Sequence, residues 1–300
     1  MKPAFSVIFF TVSSGAGLGL MFWLAFARLA HEGAPSQAWW IAAAVAVVLL
    51  TIGLISSTQH LANPKNAWRA FSRFKTSWLS REGVFAVALY VVGGAYLLAM
   101  LYGGGVIQSL LGLAVMALCL IVLYCTGMIY ACLKTIPRWH NWQTTVAYPL
   151  FGLLSGAILL TALIPSGAQL VVRWIALALL VGAAVVKFLY FQRFSEPGGP
   201  RISDALKQSR GAPRLLDVGH THKNFLMREF GFEVPAPQAA QLRLALIVLT
   251  FVVPAIILLA WPAGALIAAI SCLLGLLAER WLFFAEAKHV VRLYHGESRV

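Results

Sequence analysis

Two short segments hold the densest set of reactive side chains in an otherwise apolar chain. The first, 57–71, begins Ser57-Thr58-Gln59-His60 and continues through Asn63, Lys65, Asn66, Trp68 and Arg69. The second is Ser77-Trp78-Leu79-Ser80-Arg81-Glu82-Gly83. Together they bring an imidazole, guanidinium groups, a carboxyl and two indole faces to one interfacial turn. A quinone needs such a set: an apolar slot for its tail, donors to two carbonyl oxygens, and groups that exchange two protons with water. Imidazole titrates near neutrality and can donate to a quinone carbonyl. Glu82 can pass a proton to the aqueous side, with Arg69 or Arg81 as its expected counter-ion. The candidate quinone contacts are therefore His60, Glu82, Arg69, Trp68, Trp78 and Arg81, with His60 and Glu82 as the proton-exchanging pair. The competing account of these residues is a basic loop edged by interfacial aromatics.

Other chemistry-bearing residues are sparse. Only Glu82, Glu279 and Glu286 of the 10 acidic residues fall at or within an apolar stretch. Glu82 is read as opening a helix, where the dipole favours negative charge. Glu286 is read as interfacial, close to Lys288. Glu279 follows the uncharged run 263–278, and an ionisable group at that depth usually pairs, lines a cavity or relays protons. Its neighbour Arg280 could pair with a different helix, with a simply interfacial Glu279 as the alternative. Cys119, Cys125, Cys132 and Cys272 lie in apolar stretches without a CxxC pair. That pattern supports no zinc or iron–sulfur site, and small buried apolar roles are expected instead. His60 and His289 sit at helix ends rather than facing each other inside a bundle, so no intrinsic haem is expected.

The elements that must position these groups are membrane helices. The chain has 300 residues, 60% hydrophobic and 11% charged, with a mean hydropathy of +0.82. Soluble domains run about 45–50% apolar and about 25% charged, so most of this apolar surface must face lipid or other spans. Charge-free stretches cover 3–27, 34–64, 83–133, 139–172 and 244–278. A crossing takes about 20 residues, and Pro/Gly punctuation divides the longer stretches. Helices are predicted near 4–28, 38–60, 82–101, 107–132, 144–164, 168–191, 241–260 and 263–288. The fold class is an all-α integral membrane protein, an eight-transmembrane-helix bundle in one unit over 1–300. Strand-like alternation is absent, which argues against a β-barrel. In helix 1, Ser13, Ser14, Gly15, Gly17 and Gly19 would let a neighbouring helix or a ligand approach closely.

The net charge of +13 invites a nucleic-acid reading, but its placement argues for topology. All Lys and Arg except Arg28 and Arg173 fall on the side that holds the termini and the loops 61–81, 133–143 and 192–240. Positive charge is retained in the cytoplasm, so both termini are expected there, in a bacterial inner membrane. The loop at 192–240, with Gly198-Gly199-Pro200 and an amphipathic 224–232 segment, reads as a docking surface. Arg73, Lys75, Arg138 and Arg214 are expected to face a soluble partner, with lipid headgroups as the alternative.

The sequence resembles the membrane-anchor subunit of the dimethyl sulfoxide reductase family, which includes the anchor of a cytoplasm-facing sulfite dehydrogenase. The resemblance rests on Pro3-Ala4-Phe5-Ser6-Val7-Ile8-Phe9-Phe10-Thr11 with Ser14-Gly15-Ala16-Gly17, on 57–69, on 78–83, on Ile136-Pro137-Arg138-Trp139-His140-Asn141 and on 224–232. It implies an eight-helix anchor without haem, in complex with a molybdenum-cofactor catalytic subunit and a ferredoxin-like subunit carrying four [4Fe–4S] clusters. The family's quinone-linked His after helix 2 and Glu at the start of helix 3 map onto His60 and Glu82. Ala62-Asn63 departs from the family's usual Gly and acidic or Ser residue. Cytoplasmic docking favours sulfite oxidation with quinone reduction over a quinol-oxidising sulfoxide or oxyanion reductase. A secondary transporter is the alternative of a different class. No internal repeat of the kind transporters often show is evident.

Overall fold

The computed structural model describes the chain except for residues 31–34, 60–62, 104, 165, 195–198, 208–212, 214–215, 218–221, 223–226 and 228–229. Among the described residues, 8 helices are long and apolar enough to cross a bilayer, and no strand occurs. They are α1 (Phe5–Leu29), α2 (Gln37–Thr58), α3 (Trp78–Leu101), α4 (Gly105–Ala131), α5 (Trp142–Leu163), α6 (Ser166–Arg193), α7 (Ala236–Ala260) and α8 (Ala265–Ala285). A 3-10 segment, Pro64–Arg73, leads into α3. The predicted spans are met to within a few residues. The difference that matters is α3, which starts at Trp78 rather than at 82, so Glu82 lies in its second turn. The physical reason is local: the Ser77 hydroxyl accepts the Ser80 amide at 3.3 Å, and this cap begins the helix four residues early.

The start of α1, the end of α2 and the end of α8 share one face. The Ser56 hydroxyl donates to the Ser6 carbonyl at 3.0 Å, and the Met1 amine donates to the Ala287 carbonyl at 2.8 Å. This is the terminal face. Short turns close the opposite face between α3 and α4, α5 and α6, and α7 and α8.

α1 is the central and most buried span, packed on α2, α4, α5 and α8. Lipid offers no hydrophobic gain for pairing helices, so close backbone approach and interhelical hydrogen bonds must hold them. A Cβ added at Gly19 would lie 1.8 Å from the Gly152 carbonyl oxygen, and one at Gly17 would lie 2.6 Å from the Leu50 amide nitrogen. The Ser13 hydroxyl donates to the Leu49 carbonyl at 2.7 Å, and Trp23 Nε1 donates to the Leu153 carbonyl at 2.7 Å. The small residues of α1 therefore serve helix packing against α2 and α5. α7 carries a π-helical stretch, Val248–Val252, where α8 comes close enough for Ser271 to donate to the Leu249 carbonyl at 2.9 Å.

Cys119, Cys125 and Cys272 are buried as expected, but Cys132 is exposed. It lies one residue beyond α4, outside the packed bundle.

Candidate functional site

Glu82 points inward from α3 and is only 4% exposed. Its carboxylate accepts a hydrogen bond from the Thr126 hydroxyl of α4, which also reaches the Val122 carbonyl at 3.0 Å. The expected counter-ions are elsewhere. Arg81 donates through Nε to the Phe74 carbonyl at 3.0 Å and through Nη2 to the Lys75 carbonyl at 2.7 Å. Its guanidinium lies over the Trp78 ring, 4.2 Å from the centroid. Arg69 lies over Trp68 at 5.7 Å, and Trp68 is 65% exposed. Arginine and glutamate part company because consecutive helical residues point about 100° apart: Glu82 turns into the bundle while Arg81 turns back over the loop it pins.

Trp78 and Glu82 are four residues apart and so lie on one side of α3. Trp78 meets Tyr124 of α4 edge-on at 5.7 Å. Phe74 packs edge-on against Phe85 at 5.7 Å, and the Phe71 ring comes within 3.5 Å of where a Cβ on Gly83 would be. The 3-10 segment is thus seated on the first turns of α3. His60 and Arg214 lie outside the described residues.

The terminal face treats the expected docking residues differently. Arg73 and Lys75 are exposed. Arg138 is held within the molecule: it pairs with Glu286 at 2.6 Å, while Arg243 takes the other carboxylate oxygen at 2.5 Å. That clamp ties the α4–α5 connection and α7 to the end of α8. Glu286 is thus an interfacial hub, as expected, but its partners are arginines from other elements rather than the nearby Lys288.

A buried ion group lies deeper in the bundle, around the Glu279 and Arg280 that the sequence marks and a Lys187 that it does not. Glu279 pairs with Lys187 of α6 at 2.6 Å and with its neighbour Arg280 at 2.9 Å. The Arg280 guanidinium sits over the Tyr148 ring of α5, 3.8 Å from the centroid. Lys187 passes for a helix-end charge in the sequence, yet it is 6% exposed. Thr126 carried no charge and gave no signal at all.

These groups form one layer. Thr11, Glu82, Thr126, Tyr148, Lys187 and Glu279 each lie four to six residues from the terminal-face end of their helix (Phe5, Trp78, Ala131, Trp142, Arg193 and Ala285). At 1.5 Å per residue that is roughly 6–9 Å inward. A cavity of about 20 Å³ is lined by Thr11, Ser14, Thr126, Tyr148, Ser155 and Arg280 among others. That is room for about one water. A second, of about 10 Å³, shares Tyr148 and Arg280 and reaches Gln143, Lys187 and Glu279. The Gln143 Oε1 atom is buried there without a hydrogen-bond partner. The two cavities thus share Tyr148 and Arg280 between Thr126, the partner of Glu82, and Lys187 of α6. Among the described residues, no three His, Cys, Asp or Glu side chains gather as metal ligands would.

The family model for the DMSO reductase anchor subunit (DmsC) matches residues 1–285. The C subunit of the sulfite dehydrogenase of Allochromatium vinosum is 31% identical over 98% of this chain and 99% of its own length. The anaerobic dimethyl sulfoxide reductase chain YnfH of Escherichia coli K12 is 34% identical over 39% of this chain and 42% of its own. The C component of the anaerobic dimethyl sulfoxide reductase from the same organism is 31% identical over 37% and 40%. With eight helices long and apolar enough to cross a membrane among the described residues and a family match along nearly its whole length, the chain belongs to the membrane-anchor subunits of the DMSO reductase family.

Proposed function

We propose that this anchor passes electrons between an iron–sulfur subunit and the membrane quinone pool, in a three-subunit oxidoreductase whose catalytic subunit carries the molybdenum cofactor. The soluble subunits sit on the cytoplasmic side of a bacterial inner membrane, against the terminal face and the 192–240 loop. Sulfite oxidation with quinone reduction is the favoured direction. The relative aligned along nearly the full chain is named a sulfite dehydrogenase subunit, whereas the dimethyl sulfoxide reductase chains align over 39% and 37% of it.

One observation supports the quinone reading: a carboxyl only 4% exposed in the second turn of α3, close to the terminal face, with Trp78 one turn before it on the same side of the helix. A carboxyl withdrawn from water is costly without a function or an ion pair, and Glu82 has a hydroxyl as its partner. In this reading Trp78 and Arg81 border the headgroup, Trp68 and Arg69 flank its entry, and His60 and Glu82 hold and exchange the protons. Thr126 orients the Glu82 carboxyl toward the headgroup.

The test uses the assembled complex with two electron acceptors. His60→Ala and Glu82→Gln should each abolish sulfite-dependent quinone reduction and leave reduction of a water-soluble dye by the catalytic subunits unchanged. Thr126→Val should lower the quinone rate by roughly tenfold, the scale of a lost positioning hydrogen bond. Normal quinone kinetics in an assembled Glu82→Gln complex would remove Glu82 from the mechanism.

A further inference from the structure

A cavity of about 690 Å³ lies on the terminal face, walled by Lys134, Arg138, His140, Arg193, Lys288 and Arg299, with Phe194 and Pro137 as apolar neighbours. Its size falls within the roughly 300–1,000 Å³ of ordinary ligand pockets. Five permanent cations converge on it. Against them stand the terminal carboxyl of Val300, which also lines the cavity, and, outside the lining, Glu286, which already serves Arg138 and Arg243, so the cations remain in clear excess. Lys134, Arg193 and Lys288 form no ion pair among the described residues. So much like charge around one space is costly unless an anion shares it.

The height of the ring identifies the anion. Lys134 follows α4 by three residues, Arg138 and His140 precede α5, Arg193 ends α6, and Lys288 follows α8 by three. These residues therefore stand where helices leave the hydrocarbon, which is the level of lipid phosphates. Arginine and lysine pair well with phosphate oxygens, arginine in a two-pronged fashion. α6, which supplies Arg193 and leads into Phe194, is among the spans with the least surface buried in the protein. α6 thus leaves most of its surface to the bilayer, the side from which a lipid would reach this wall. Basic pockets between membrane helices on the cytoplasmic side are a recurrent form of anionic-lipid site.

We infer that this cavity binds the phosphate headgroup of an anionic phospholipid. Lys134, Arg193 and Lys288 contact the phosphate, Arg138 braces the wall through its Glu286 pair, and Phe194 lies against the glycerol backbone. An acidic segment of a soluble partner has compatible charge, but it would approach from above the helix ends, whereas four of the five cations, Lys134, Arg138, Arg193 and Lys288, stand at the level of those ends and only Arg299 comes from the tail. The site is separate from Glu82 and does not depend on the quinone reading.

The experiment is native mass spectrometry of the detergent-purified full complex, after delipidation and re-addition of phosphatidylglycerol or phosphatidylcholine. The wild type should retain one phosphatidylglycerol per anchor and release phosphatidylcholine. Combined Lys134→Ala, Arg193→Ala and Lys288→Ala should weaken that retention by roughly tenfold or more. Neutralising Lys2, Lys65 and Lys207, which lie outside this cavity, should leave it unchanged. Equal retention of the two lipids, or undiminished retention in the cavity variant, overturns the proposal. So does displacement of the lipid by millimolar inorganic phosphate alone, which would mean a free-anion site. Loss of the soluble subunits from the cavity variant with its lipid retained would assign the cavity to the partner instead.

Discussion

Glu279→Gln should destabilise the anchor far more than Lys187→Met, although the two residues share one ion pair. The group comprises one carboxylate and two cations, with side chains 3–7% exposed. Removing the carboxylate leaves Lys187 and Arg280 buried together with no counter-charge. Breaking a buried pair in this way costs about 3–5 kcal/mol. Removing Lys187 instead leaves Glu279 paired with Arg280 at 2.9 Å and brings the local charge to zero. The lost charge-assisted hydrogen bond is worth about 1.5–3 kcal/mol. Relief of the buried ammonium offsets much of it, leaving a net cost of about 1–2 kcal/mol. Adding Lys187→Met to Glu279→Gln removes one of two unpaired cations, so the double variant should recover part of the loss, a coupling of opposite sign to simple addition. Thermal unfolding of the full-length protein in detergent, followed by fluorescence-detected gel filtration, reads the order of the three variants. If Lys187→Met unfolds as early as Glu279→Gln, or the double variant is worse than either, then Glu279 is not the shared counter-ion described above.

Other consequences follow from packing and charge. Gly19→Ala should abolish folded protein in the membrane, because its Cβ would meet the Gly152 carbonyl at 1.8 Å, while Gly94→Ala, with open space around it, should be silent in the same expression assay. Charge reversal at Arg73 and Lys75, both exposed, should release the soluble subunits at moderate salt in a co-purification experiment; full retention would favour headgroup contact for these two residues. Arg292 hydrogen-bonds Glu233 and holds its carboxyl below the ordinary value of 4.5. The native carboxylate takes up a proton less readily than the unfolded one, so the stability it contributes is present above about pH 4.5 and is lost as pH falls further. Amide protection in the 3-10 turn Val290–His295, measured relative to the intrinsic exchange rate at each pH, should therefore weaken as pH falls below the ordinary carboxyl value, and Glu233→Gln should show a smaller change.

Membrane insertion, the number of spans and their rough limits are properties of composition along the chain, because burying an uncharged run of about 20 residues in lipid needs no partner. For the same reason the family motifs and the reactive pair of segments around 60 and 80 are visible in the order of residues alone. What the linear sequence leaves open is direction around each helix axis. Arg81 and Glu82 are neighbours in sequence, yet one faces the loop carbonyls of Phe74 and Lys75 and the other faces Thr126. That separation, and the choice of a threonine over an arginine as partner, depends on where α4 packs. Lys187 and Glu279 are 92 residues apart and become a pair only because α6 and α8 present them at one depth. A hydrogen bond or ion pair between helices is a fact of rotation and register, and those are settled by side-chain packing of the assembled bundle, not by the hydropathy that put each helix in the membrane.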